Sequence, residues 1–154
     1  MSSILGAGNH VSRAGVEAQA PACLVSVLSD EWAWSLRWAG NVSYWWSRKH
    51  STSNSSLSEA GLTPVVNLRR AADSLPSGYL EAGVGIHLLS HTSIDERIFS
   101  TAFQFGELVG MGINFGEREQ YGIGLRVQHI SNGGIKEPNY GMTFGELRFA
   151  YRWN

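Results

Sequence analysis

The chain has 154 residues, a formal net charge of −1 and 16% charged residues, against about 25% in an ordinary soluble domain. That length holds one domain, residues 1–154. Its single cysteine, Cys23, excludes an internal disulfide and leaves any zinc site to histidines and carboxylates; no basic stretch argues for nucleic acid, and no run reaches the roughly 18 apolar residues of a spanning helix. Eighteen glycines and 11% aromatic residues make a poor helix former, and "MSSILGAGNH", without the basic, apolar, small-residue pattern of an export leader but compatible with a mature form carrying a replacement Met1, neither shows nor excludes export.

In chain order, residues 3–13 and 20–30 are the first strand candidates, each closed by turn-forming residues. "SLRWAGNVSYWWS" then alternates with period two: Leu36, Trp38, Gly40, Val42, Tyr44 and Trp46 oppose Arg37, Ala39, Asn41 and Ser43, with Trp45 an apolar exception on the second face. After a polar stretch at 47–58 comes a candidate at 59–70. In "YLEAGVGIHLL", Leu80, Ala82, Val84, Ile86 and Leu88 alternate with Glu81, Gly83, Gly85 and His87. A candidate at 98–115 leads to the short turn "GEREQ". Beyond it Tyr121, Ile123, Leu125 and Val127 oppose Gly122, Gly124, Arg126 and Gln128. The final stretch, "TFGELRFAYRWN", sets Leu147, Phe149, Tyr151 and Trp153 against Glu146, Arg148, Ala150 and Arg152.

These segments make eight strands of about ten residues with no helix between them, the pattern of an all-β, eight-stranded antiparallel transmembrane β-barrel of the outer-membrane type. Sidedness decides between this barrel and a soluble lipid carrier. One face is apolar and the other holds Glu81, His87, Arg126, Gln128, Glu146, Arg148 and Arg152, which cannot line a greasy calyx but can pair inside a barrel whose outer wall meets lipid. Trp32, Trp34, Trp45, Trp46, Tyr151 and Trp153 fit interfacial girdles. With both termini on the periplasmic side, the turns near 30–35, 71–78 and 116–120 face the periplasm and the longer loops face out. His87 belongs to a hydrogen-bonded interior rather than to a metal site.

On this map His129 and Ser131 lie near the outer end of the seventh strand, continuing the apolar row of Leu125 and Val127. Two residues apart on a strand, their Cα atoms stand about 7 Å apart on one face, and the side chains can meet by rotamer choice. Serine becomes a nucleophile when a base takes its proton, and histidine is the side chain suited to that at neutral pH. Asn132 carries an amide donor, and the Gly133–Gly134 backbone can turn N–H groups toward an oxyanion.

"VQHISNGGIKEPNYG" resembles the signature of the PagL family of lipid A deacylases, a His-x-Ser-Asn segment leading into a loop with Gly, Lys and Pro-Asn; "YLEAGVGI" and "FGELVGMGINF" resemble the two preceding family strands. The resemblance implies an outer-membrane serine esterase that needs no metal or cofactor and hydrolyses the ester-linked acyl chain at the 3-position of lipid A at the outer leaflet. It makes Ser131 the nucleophile, His129 the general base, and Asn132 with the Gly134 backbone the oxyanion donors. The family's acid stands twelve residues after the serine, where this chain has Thr143. Pairing Phe115 with Tyr121 across the short turn sets Glu107 opposite His129 on the outer face; Glu146, of inward parity, is the alternative acid, and a Ser-His pair with no acid is a third arrangement. Arg48, Lys49, His50 and Lys136 on outer loops could meet lipid A phosphates or simply keep the loops solvated, and Asp95, Glu96 and Arg97 form a similar loop cluster that could hold a divalent cation. The competing reading from another class is a non-catalytic outer-membrane barrel for adhesion or envelope integrity.

Overall fold

The structure, a computed structural model, describes residues 1–29, 32–49, 54–70 and 76–153. Residues 30–31 and 71–75 of the expected turns, 50–53 of the polar loop with His50, and the final Asn154 lie outside the described residues.

Among the described residues the strands are β1 (Ser2–Gly8), β2 (Val11–Gln19), β3 (Leu24–Val27), β4 (Trp32–Ser47), β5 (Ser56–Arg70), β6 (Ser77–Leu89), β7 (Ser93–Ile94), β8 (Arg97–Ile98), β9 (Phe103–Phe115), β10 (Tyr121–Ser131) and β11 (Met142–Tyr151). The antiparallel sheet closes on itself because β1 pairs with both β2 and β11, and β2 pairs with β4. β2 and β3 lie end to end along β4, so the wall is the eight-stranded antiparallel barrel of the outer-membrane type that the alternation predicts. β7 and β8 form a separate small hairpin in the 90–102 loop.

Two expected strands are redrawn. The candidate at 3–13 is two strands joined by a tight turn at Asn9–His10, where His10 has φ +67°. The candidate at 20–30 is instead the lower part of a strand that begins at Val11 and is interrupted by a bulge: Gln19 to Leu24 is five steps against three from Ala39 to Leu36. Pro21, which has no N–H, sits in that bulge, while Ala20 and Cys23 keep the wall closed by donating to Trp38 and Leu36.

Sidedness follows the period. On β10, Leu125 and Val127 are 63% and 50% exposed, whereas Arg126 and Gln128 are 3% and 2% exposed inside the barrel. On β6, Leu80, Val84, Ile86 and Leu88 point outward while Glu81 and His87 are buried. The interior charges pair with one another: Arg13 holds Glu59 at 2.7 Å and also Glu146, and Arg126 holds Glu17 at 2.8 Å and Glu81 at 2.9 Å. His87 bonds Glu59 through Nδ1 at 2.5 Å, as expected of an interior histidine. Gly61 and Gly106 make room for it, since a Cβ at either would stand 2.3 or 2.1 Å from its ring. An ionic interior inside a greasy wall excludes a soluble lipid carrier, whose apolar surface faces the cavity.

Two rows of rings band the wall. At the short-turn end Phe115, Tyr121, Tyr151 and Trp153 are successive neighbours, and toward the loop end stand Tyr44–Trp46 and Phe103–Phe105. Trp45 is not part of a girdle. Its parity takes it inside, where it donates from Nε1 to Ser43 and meets the Phe144 ring edge-on at 4.7 Å. With Val11, Leu57, Ile94 and Phe99 it forms an apolar plug above the ionic layers. The plug lies at the end that carries the 132–141 loop.

Candidate active site

β10 brings His129 and Ser131 to the outer face near the plugged end of the barrel, each half-buried. Its two neighbours supply what flanks the imidazole: His129 pairs with Glu107 of β9 on one side and with Thr143 of β11 on the other. Phe115 pairs with Tyr121 across the 116–120 turn, and that register carries Glu107 to His129 as the sequence predicts. The three side chains make a row across three strands.

Within the row, His129 Nδ1 and Thr143 Oγ1 are hydrogen-bonded at 2.8 Å. Glu107 is exposed in the register position beside His129 and, among the described residues, makes neither a hydrogen bond nor an ion pair. Glu146 lies inside the barrel on Arg13, on the other side of the wall from His129; β11 has no bulge that would turn it outward. The ring of His129 lies over Gly141, whose φ is +55°: a Cβ there would stand 2.9 Å from Cε1 and 3.1 Å from Nε2. Nδ1 is thus tied to Thr143, and the Nε2 edge is fitted against a residue without a side chain.

The loop after Ser131 is organised by Asn132, which is fully buried. Its Nδ2 donates to the carbonyls of Phe99 at 2.8 Å and Lys136 at 2.6 Å, and its Oδ1 accepts from Gly134 N–H at 2.9 Å. The expected oxyanion donors, the Asn132 amide and the Gly134 N–H, are therefore bonded to each other and to the loop. Asn139 is the amide that sequence reasoning missed. Its Oδ1 accepts from the Asn132 backbone N–H at 3.2 Å, next in chain to Ser131, and its Nδ2 donors are unspent among the described residues. The only signal in the sequence was its membership of the Pro138–Asn139 pair.

A shallow open groove of about 700 Å³ runs along the outer wall from His129 and Glu107 across Val109, Val84 and Val66 to Leu36. Beyond His129 and Glu107 its lining is apolar, so a hydrocarbon chain can lie there without displacing a hydrogen bond. Of the outer-loop charges, Lys49 stands 3.9 Å from Glu96, Lys136 is exposed, and Arg97 donates to the carbonyls of Tyr140 and Gly141. Among the described residues no three His, Cys, Asp or Glu side chains gather as a metal centre would require.

Residues 13–152 match the protein family described as lipid A 3-O-deacylase (PagL). The lipid A deacylase PagL of Bordetella bronchiseptica is 31% identical over 149 residues, which is 96% of this chain and 80% of that protein. The lipid A deacylase PagL of Pseudomonas aeruginosa is 30% identical over 105 residues, 68% of this chain and 57% of that protein. A crystal structure described as the outer membrane enzyme PagL superposes with a TM-score of 0.81 at 22% identity, covering 99% of this chain and 98% of that one, and so shares the barrel fold.

Proposed function

Because this chain belongs to the lipid A 3-O-deacylase (PagL) family, we propose that it is an outer-membrane ester hydrolase that removes the acyl chain at the 3-position of lipid A, with Ser131 as nucleophile and His129 as general base. The observation that carries this reading is the 2.8 Å bond between His129 Nδ1 and Thr143 on the lipid-facing wall, two residues from Ser131. With the proton on Nδ1, Nε2 keeps the lone pair that takes the serine proton once the two side chains, which share a face but are not hydrogen-bonded among the described residues, are brought together.

In the first half-reaction Ser131 Oγ attacks the ester carbonyl while Nε2 takes the hydroxyl proton. The tetrahedral intermediate collapses as the imidazolium returns that proton to the departing sugar 3-oxygen, leaving an acyl-serine. Water then attacks the acyl-serine, His129 again taking and returning a proton, and the free fatty acid leaves. Asn139 Nδ2 is the donor we assign to the oxyanion, because the Asn132 amide is saturated; Asn132 and the Gly134 N–H hold the loop that carries it. Glu107 supplies a negative charge beside the imidazolium, the part that the family gives to an acid at the position of Thr143.

The wall supports the substrate class. Lipid A arrives from the side, within the leaflet, and its acyl chain can lie in the groove from Val109 to Leu36 while the ester stands at Ser131. The short turn at one end and the longer loops at the other support the orientation in which His129 and Ser131 stand level with the outer leaflet.

The test is fatty-acid release from purified lipopolysaccharide by the detergent-folded barrel and its Ser131→Ala and His129→Ala variants. Loss of release in both variants is expected, and unchanged release in either would overturn the assignment.

A further inference from the structure

We infer that Arg97 is a positioning residue for the hydrolysis: it sets the backbone of Tyr140–Gly141 and, through it, the ring of His129. The inference rests on the Ser131–His129 reading above.

The starting observation is that β7 and β8 are anchored. Ile94, the last residue of β7 and the cross-strand partner of Arg97, and Phe99, the residue that follows β8, are fully buried in the apolar plug, with Phe99 edge-on to Trp45 at 6.1 Å between ring centroids. Side chains locked in a close-packed cluster fix the short segment between them, so Arg97 leaves a firm base.

From that base several bonds cross to the loop between β10 and β11. Arg97 Nη1 donates to the Gly141 carbonyl at 2.9 Å and to the Tyr140 carbonyl at 3.3 Å. Tyr140 N–H donates to the Ile98 carbonyl at 3.1 Å, Asn132 Nδ2 to the Phe99 carbonyl at 2.8 Å, and Ser100 Oγ to the Pro138 carbonyl at 2.7 Å. Arg97 contributes the charged donor and is the one that grips Gly141.

Gly141 is where this grip meets the chemistry. His129 Nε2 and Cε1 lie so close over it that a methyl group there would displace the ring, and Thr143, which holds Nδ1, follows two residues later. A shift of the Gly141 backbone therefore moves the floor under the ring and the partner of Nδ1 together. Catalytic geometry tolerates little of this, since a displacement near 1 Å can cost about a hundredfold in rate. A guanidinium on two carbonyls at this point restrains the imidazole without touching it.

The rival role for Arg97 is direct contact with the anionic headgroup of the substrate, and two readouts separate the roles. The first is kcat and KM on purified lipopolysaccharide. The second is the rate at which a small fluorophosphonate labels Ser131, a reaction in which serine oxygen displaces fluoride; it needs an activated serine and no headgroup contact. For Arg97→Ala, positioning predicts that kcat and the labelling rate both fall, by between about tenfold and about a hundredfold, with KM little changed. Arg97→Lys, which keeps a charged donor, should recover part of both, and it carries the test if the alanine variant does not fold into a barrel by circular dichroism. A raised KM with unchanged labelling, or no change in any readout, overturns the inference. Failure of the wild-type barrel to label on Ser131 would overturn the Ser131–His129 reading itself, which distinguishes the two failures.

Discussion

Replacing Glu107 by glutamine removes a charge from beside His129 while removing no hydrogen bond, so the change in rate measures electrostatics alone. The pair is directly cross-strand, with Cβ atoms about 5 Å apart in such a register and the charged groups therefore about 6 Å apart when the imidazolium forms. At that distance the attraction is roughly 3 kcal/mol for an effective dielectric of about 20, and roughly 0.7 kcal/mol in a water-like one. Glu107 is exposed, which favours the smaller end of this range. Turnover should therefore fall by about tenfold, with about threefold and about a hundredfold as the bounds. The assay is the initial rate of fatty-acid release at saturating lipopolysaccharide, with Glu107→Asp as a control that keeps the charge. The charge matters as the imidazolium appears in the transition state, so the loss should fall on kcat rather than on KM. A glutamine variant as fast as the wild type would refute this reasoning and leave the Thr143 hydroxyl as the polar partner of the imidazolium.

Three further outcomes follow from the same geometry. Thr143→Glu should raise kcat by about 1–2 kcal/mol of transition-state stabilisation, the margin of a charge-assisted hydrogen bond to Nδ1 over a neutral one, seen as a five- to thirtyfold gain of that order in fatty-acid release; a loss would mean that the strand cannot present a carboxylate there. Val84→Trp should fill the aliphatic groove and depress hydrolysis of lipopolysaccharide while leaving a short-chain soluble ester unaffected, and equal rates on lipopolysaccharide would show that the acyl chain lies elsewhere. Arg13→Met should strip Glu59 and Glu146 of their common cation and cost about 3–5 kcal/mol of stability, read as a lower urea midpoint for the detergent-folded barrel, with an unmoved midpoint counting against the ionic core.

The parts legible in the sequence were those set by the strand period. Alternation alone put Arg126, Gln128 and Glu146 inside and Leu125 and Val127 outside, and counting back from the 116–120 turn put Glu107 opposite His129. Where the same rule was overruled by residue type, the reading went astray: Trp45 has the parity of Ser43 and follows it inward. The first hairpin was missed because a turn of only Asn9 and His10 hardly interrupts a strand-like run, and the bulge around Pro21 because its partners, Trp38 and Leu36, come from the next strand. The loop chemistry was illegible for a related reason. Asn132 is saturated by the carbonyl of Phe99, and Gly141 is gripped by Arg97, from a hairpin more than thirty residues upstream whose docking depends on the apolar plug. No local pattern in "HISNGG" announces either contact.

The most direct test of ester cleavage on the lipid-facing wall is a mass spectrum of lipid A taken before and after incubation with the wild-type barrel and with Ser131→Ala. The wild type should remove one acyl group, from the ester at the 3-position, leaving the amide-linked chains in place, and the alanine variant should remove none. An unchanged spectrum with the wild type, or the same loss with the alanine variant, would contradict the assignment of Ser131 and of the wall around it.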